Sequence, residues 1–270
     1  MAISKTLVCV HAHPDDEAIF TSGITLHYAA LGYDVVLVTC TNGRLGFDGH
    51  NRPGNEAPHD DLGTKATRAG ELQRSAHQVG FTRIVTLGFE DSGMVGWPQN
   101  EDAGAFMNID VDAVARTLAA LLDEVRATVV VTYDENGFYG HPDHIMANVV
   151  TRRALDFAQS PERLYYPVVP TGAIREFIPK AEAQGFILPA FVLEADAGTP
   201  DDLVASTMDV TQYVATKQAA LRTHASQTDN AVLSTMDPGL FALMFGTEWF
   251  QRAWSRHDTT DDATDLFGGL

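Results

Sequence analysis

Residues 11–20, "HAHPDDEAIF", hold two histidines and three carboxylates within seven positions, and "YGHPDH", residues 139–144, adds two histidines and an aspartate. Imidazole and carboxylate at this density can bind a divalent cation, move protons, or do both. His13 and Asp16 stand three apart, so at a helix entry both can point to one side. His144 can reach the same point from a second segment. Two histidines and one carboxylate, with coordination positions left for water, make a catalytic metal site. Zn2+ suits that donor set, and so does Fe2+. A closed structural site would need a fourth protein ligand, usually cysteine; neither cluster contains one, and neither Cys9 nor Cys40 falls in a CxxC pattern. Asp15 is then a free carboxylate beside the metal, available as a base, and His141 a second titratable group on the far side. Taken singly, Asp16 also reads as an N-cap and His11 as a packed or supporting residue at a strand end. Two such clusters at two strand ends favour chemistry over independent caps.

The surrounding pattern says what positions them. "KTLVCVHA" reads as a first strand and "EAIFTSGITLHYAALG" as a helix stopped by Gly32. "YDVVLVTC", "RIVTLGF" and "TVVVTYD" read as strands two to four, and "RLYYPVV" as a fifth. The helices between them are "TKATRAGELQRSAHQVG", "DVDAVARTLAALLDEVRA", capped by Asp110 or Asp112, and "PDHIMANVVTRRALDFAQ", with Pro142 in its first turn. This alternation implies βαβ units: an α/β, Rossmann-like doubly wound, mainly parallel sheet of order 3-2-1-4-5. In that order strands one and four are neighbours at the switch point, and the two clusters share one crevice beyond their carboxyl ends. The expected organisation is a catalytic core over 1–160, a smaller β/α extension over 161–257 completing the same domain, and an acidic, mobile tail over 258–270. "AFVLEAD" and "ASTMDVTQ" read as short strands of the extension and "YVATKQAALRTHASQ" as its helix. Two long loops, 42–64 and 90–108, interrupt the pattern, and loops of that length are usually functional.

Composition narrows the partners. The chain has 270 residues, 45% of them hydrophobic, and a formal net charge of −18. Such acidity repels phosphate backbones and anionic lipid, so neither nucleic acid nor a membrane is expected as partner. No run approaches the roughly 20 apolar residues that span a bilayer, and the N-terminus is too short in apolar residues for a signal peptide. The cysteines fall in strand-like runs and read as reduced and packed. A soluble, cytoplasmic protein is expected, and a homo-oligomer is compatible with it.

"AHPDDE" (12–17) after strand one, together with "GHPDH" (140–144) after strand four, resembles the LmbE-like, or PIG-L, family of zinc-dependent N-deacetylases. "VTCTNG", "RAGEL", "DSGM" and "TYDENGFYGHPDH" resemble its actinobacterial branch, which includes a mycothiol-pathway deacetylase and a mycothiol S-conjugate amidase. The resemblance covers about residues 5–160. It implies zinc on His13, Asp16 and His144, with Asp15 as general base. It implies His141 as general acid or oxyanion stabiliser, and Tyr139 as a group polarising the carbonyl. Arg68 in "TRAGEL" and Asp91 and Met94 in "DSGM" match substrate-binding positions. Arg44, with Phe47, stands where the family's "GEEGE"-like loop carries acidic residues, and is a fourth expected substrate contact. The implied reaction removes an acetyl or other acyl group from an N-acyl amino sugar or related small-molecule conjugate. The alternative is cleavage of a mycothiol-S-conjugate-type amide. A non-haem iron oxygenase would carry an HxD pair on a β fold, whereas here the pair is HxxD in an α/β pattern. A nucleotide-binding module would need GxGxxG at the first turn, which reads "HAHPDD". A non-catalytic metal-binding regulator would not need both a base and an acid.

Overall fold

β-branched and apolar runs buried on both faces build the centre of the molecule. The computed structural model describes residues 5–186, 197–258 and 260–270. Among them a seven-stranded sheet runs in the order β3-β2-β1-β4-β5-β7-β6. Its strands are β1 (Thr6–His11), β2 (Asp34–Thr41), β3 (Arg83–Phe89), β4 (Val129–Val131), β5 (Arg163–Val168), β6 (Ser206–Asp209) and β7 (Thr247–Ser255). The first five are parallel, in the expected order, while β7 runs antiparallel to both β5 and β6. The helices are α1 (Ser22–Ala30), α2 (Asp61–Gln78), α3 (Val111–Glu124), α4 (Gly137–Gly140), α5 (Pro142–Leu155), α6 (Thr171–Ala183), α7 (Val214–Thr223), α8 (Ala231–Ser234) and α9 (Pro238–Phe245).

Alternation along each strand divides the core in two. Leu7, Cys9, Val35 and Leu37 face Ile24 and Tyr28 of α1, Leu72 and Ala76 of α2, Leu221 of α7 and Phe241 of α9. Val8, Val10, Val36 and Val38 face Leu118 and Leu122 of α3 and Ala147 and Val150 of α5. Residues of period two in β1 and β2 thus serve both faces, as a doubly wound sheet requires. Asp110, not Asp112, caps α3, its side chain accepting from Ala113 N–H. Both cysteines are buried and unbridged. Among the described residues no helix is long and apolar enough to cross a membrane.

The structure departs from expectation in three places. The helix after β1 begins as a wide π-helical segment, Glu17–Thr21, and becomes α-helical only at Ser22. The C-terminal extension contains α6, α9 and the long strand β7, none of which the sequence pattern announced, whereas "ASTMDVTQ" does form β6; "AFVLEAD" lies outside the described residues. The tail was expected to be mobile, yet residues 260–270 pack back on the domain. Leu266 and Phe267 are fully buried. The Tyr28 hydroxyl donates to Asp265 Oδ1 at 2.9 Å and accepts from Leu266 N–H at 2.8 Å. The Phe267 ring meets Tyr28 and Tyr33 edge-on, with centroids 4.8 and 5.0 Å away. Two apolar residues that follow a run of acidic ones find this slot beside α1, and the average charge of the segment conceals them.

Truncating such a ring exposes a cavity and removes its transfer free energy. Phe267→Ala should cost about 3 kcal/mol of unfolding free energy. Urea unfolding measures it, and a change within error would mean that the tail is not part of the core.

Candidate active site

The two clusters meet where β1 and β4, adjacent in the sheet, reach their carboxyl ends. Tyr133, just past β4, ties them together. Its hydroxyl donates to Asp16 Oδ2 at 2.6 Å and accepts from Ala12 N–H at 2.9 Å, and His11 Nδ1 stands 3.3 Å away. His13 N–H donates to the same Asp16 oxygen at 2.7 Å. That leaves Asp16 Oδ1 free, 3.5 Å from His144 Nε2.

Each histidine is anchored by one nitrogen and presents the other. His13 Nε2 lies 3.1 Å from Asp143 Oδ2, and His144 Nδ1 lies 3.2 Å from the Gly137 carbonyl. Gly137 has φ +62°, and a Cβ there would sit 2.8 Å from His144 Cβ, so only glycine brings this carbonyl onto the ring. With these nitrogens donating, His13 Nδ1 and His144 Nε2 turn lone pairs inward, 3.3 Å apart. Anchoring a ligand imidazole through its far nitrogen is the usual support of a metal site. Burial alone would lower the His13 pKa, yet the hydrogen bonds of Asp143 and Asp16 hold it well above the ordinary value. Burial takes His144 down to about 4. Two imidazole nitrogens and a carboxylate oxygen thus converge on one point, and the donor set fits Zn2+ or Fe2+.

Asp15 points elsewhere. Its φ is +121°, a conformation that costs a non-glycine residue about 1–3 kcal/mol and that clusters at functional sites. Burial pushes its carboxyl up to about 7, with the Arg68 guanidinium pulling the other way. Arg68 Nη2 and Asn230 Nδ2 both hold Oδ2, at 3.2 and 2.9 Å. His141 is the N-cap of α5, its Nδ1 accepting from Asp143 N–H at 3.1 Å. Burial, reinforced by His13 and His144, lowers its pKa to about 2. The ring is thus neutral, with its proton on Nε2. Tyr139 is half exposed, its ring centroid 5.0 Å from His144 and 6.1 Å from His141.

These residues open on a cavity of about 1090 Å³. His13, Asp15, Asp16, Tyr139 and His141 line its polar end. Both long loops wall it, through Leu45, Phe47 and Pro53 on one side and Asp91, Met94 and Trp97 on the other. Of the expected substrate contacts, Asp91 lies in the wall and faces His13 Nε2 at 3.7 Å, with its oxygens accepting from Gly93 and Leu45 N–H. Met94 is at the cavity surface. Arg68 is buried in the wall and spends its guanidinium on the Pro14 and Gly43 carbonyls and on Asp15. Arg44 is not among the cavity residues: it binds Asp61 and Asp102, at 2.6 and 2.7 Å, and also pairs with Glu90. Its three carboxylates come from the second long loop and the start of α2, a pattern that four-residue motif matching does not see.

Tyr133, Asp143 and Asn230 were not singled out from sequence. Asp143 stands inside "GHPDH" and Tyr133 inside "VTYD", so their motifs were visible though their roles were not. Nothing local marks Asn230.

Residues 8–155 match the family model described as PIG-L: GlcNAc-PI de-N-acetylase. A 1D-myo-inositol 2-acetamido-2-deoxy-alpha-D-glucopyranoside deacetylase from Geodermatophilus obscurus is 37% identical, the alignment covering 100% of this chain and 99% of the relative. In structure the chain is similar to an N,N'-diacetylchitobiose deacetylase from Pyrococcus horikoshii, at 18% identity and TM-score 0.61, with 92% of this chain and 84% of that one covered. It is also similar to a 4-carboxy-2-hydroxymuconate hydratase from Pseudomonas putida, at 16% identity and TM-score 0.60, covering 96% of this chain and 100% of that one. A hydratase on the same fold shows that the fold alone does not fix the reaction. The matched motifs and full-length identity do what the fold cannot: the chain belongs to the PIG-L (LmbE-like) family, and it is an amide-hydrolysing enzyme.

Proposed function

We propose that the protein is a metal-dependent deacetylase of a small N-acetylglucosamine-containing conjugate. The observation that carries this reading is the convergence of His13 Nδ1, His144 Nε2 and Asp16 Oδ1 beside a carboxyl whose pKa is about 7. His13, Asp16 and His144 would hold Zn2+, or Fe2+ in its place. When bound, such an ion polarises an acyl oxygen and lowers the pKa of water to about 7.

The rest belongs to the chain's own side chains. Asp15, poised near neutral pH, takes the proton of the attacking water through Oδ1, since Oδ2 is held by Arg68 and Asn230. It can return that proton to the departing amine nitrogen, so the proton count closes. His141 donates Nε2–H to the oxygen on which negative charge develops, a role that needs no imidazolium. Tyr139 adds a neutral donor at the mouth. The family relatives named as deacetylases of an N-acetylglucosaminyl inositol support a sugar of this kind. A cytoplasmic setting suits the reduced, buried cysteines.

A second reading, cleavage of a larger conjugate of the S-conjugate amidase kind, is favoured by the far end of the cavity. Ile174, Phe177, Leu243, Met244, Phe245 and Trp249 line it, and this surface suits an apolar substituent.

Three outcomes are expected. First, the purified protein should carry about one divalent ion per chain. Chelation should abolish turnover and Zn2+ restore it, and elemental analysis of His144→Ala should show metal loss; full metal retention in that variant would refute the ligand set. Second, Asp15→Asn should keep the metal and lower kcat about 10²-fold or more, the usual scale for losing a general base. Third, release of free amine from N-acetylglucosaminyl inositol, from its conjugates bearing apolar groups and from acetyl-lysine peptides should rank the sugars first. Turnover of the peptides alone would exclude both readings.

A further inference from the structure

We propose that Glu17 and His224 form a positioning pair that sets the backbone of Asp15, and through it the aim of the base. The inference rests on Asp15 being that base.

Asp15 could not keep φ +121° without something to hold it. Its carbonyl accepts from Ala18 and Ile19 N–H at 3.0 and 3.3 Å, which fastens one side of the residue to the π-helical turn. On the other side its N–H donates to Glu17 Oε2 at 2.9 Å. That carboxylate is fully buried. Its second oxygen, Oε1, takes His224 Nε2 at 2.7 Å and the Ser75 hydroxyl at 2.5 Å. One oxygen thus serves the strained residue and the other is tied to distant elements. Ser75 belongs to α2, and His224 is the C-cap of α7, 207 residues from Glu17 in sequence. No hydrogen bond of the Glu17 or His224 side chain goes to His13, Asp16 or His144.

A fully buried glutamate–histidine pair is a poor way to add stability. Apolar residues of the same volume often do as well or better. What the charged pair adds is direction: an acceptor whose two oxygens are each committed fixes the plane of the carboxylate, and so the position of the Asp15 N–H. Removing His224 frees that plane to rotate. The Asp15 backbone then relaxes, Oδ1 moves from its line to the water, and the metal ligands, anchored on Tyr133, Asp143 and Gly137, remain.

The test is a double-mutant cycle on kcat with N-acetylglucosaminyl inositol as substrate. His224→Leu should lower kcat about tenfold or more, with KM and metal content near those of the parent. His224→Gln, whose amide can still donate to Glu17, should recover most of the loss. In the Asp15→Asn background, His224→Leu should bring no further loss, because the group it positions is already gone. If His224→Leu does not fold, as judged by its unfolding transition, Glu17→Gln carries the same cycle: it keeps the volume but leaves one acceptor oxygen for three donors. Parental kcat in His224→Leu, loss of metal in step with activity, or an equal further loss in the Asp15→Asn background would each overturn the pair. Full activity in Asp15→Asn alone would overturn the base itself, a separate result.

Discussion

Ionisable side chains buried together at the carboxyl ends of two interior strands set the terms for the rest of this molecule. His13, Asp16, Asp91, His141, Asp143 and His144 are all nearly inaccessible to water. Charge removed from water is costly unless each polar atom finds a partner. The fold answers by bringing in residues from far along the chain: Tyr133 for Asp16, Asp143 for His13, the Gly137 carbonyl for His144, Arg68 and Asn230 for Asp15. The tight loops follow from the same demand. Gly43 has φ +62°, and a Cβ there would stand 2.8 Å from Arg68 Nη1 and 2.9 Å from Pro14 Cδ, so a larger residue would push the guanidinium off the motif loop. The nitrogens of His13 and His144 and the free oxygen of Asp16 are left facing one another at 3.3 and 3.5 Å, and that convergence is the reason to expect a cation.

The sequence made the central part of this arrangement legible because strands buried on both faces leave an unbroken apolar signature. β1 to β5 and their order followed from it, and the order alone put "HAHPDDE" beside "GHPDH". The less legible parts share a cause. β7 pairs with β5 and β6, but Glu248, Gln251 and Arg252 break its apolar run; Glu248 points inward because it accepts from Gly23 and Ile24 N–H at the start of α1. Asn230 and His224 act on the motif from the C-terminal third, and a single asparagine or histidine carries no periodicity. Arg44 shows the reverse error. A charged residue in a motif-bearing loop looked like a substrate contact, and three nearby carboxylates claim it instead.

The hydratase likeness marks where the fold stops explaining. A doubly wound sheet supplies a crevice at its switch point for many chemistries. Sites on one fold differ in details finer than topology, and the tautomer of His141 is such a detail here. Because its Nδ1 accepts from the first turn of α5, its Nε2–H is available at neutral pH. In the role proposed for it, a donor that is already neutral would need no acid limb to act and would not repel a cation held by the neighbouring histidines.

Asp15 and Asp16 show how much one backbone angle can separate. They are neighbours of identical type, yet burial pushes Asp15 up to about 7 while His144 and His13 overcome burial and hold Asp16 well below the usual carboxylate range. The φ of +121° at Asp15 turns its side chain toward Arg68 and the cavity, away from the imidazoles that claim Asp16. In an ordinary helical entry both carboxylates would have competed for the same cationic groups, and neither would have been basic near neutral pH. Two environments that drive neighbouring pKa values apart would let one carboxylate serve as a ligand while the other exchanges protons. The strain at Asp15 is thus the structural origin of the difference between the two carboxylates, and holding that strain in place is a requirement the fold must meet with atoms from outside the motif.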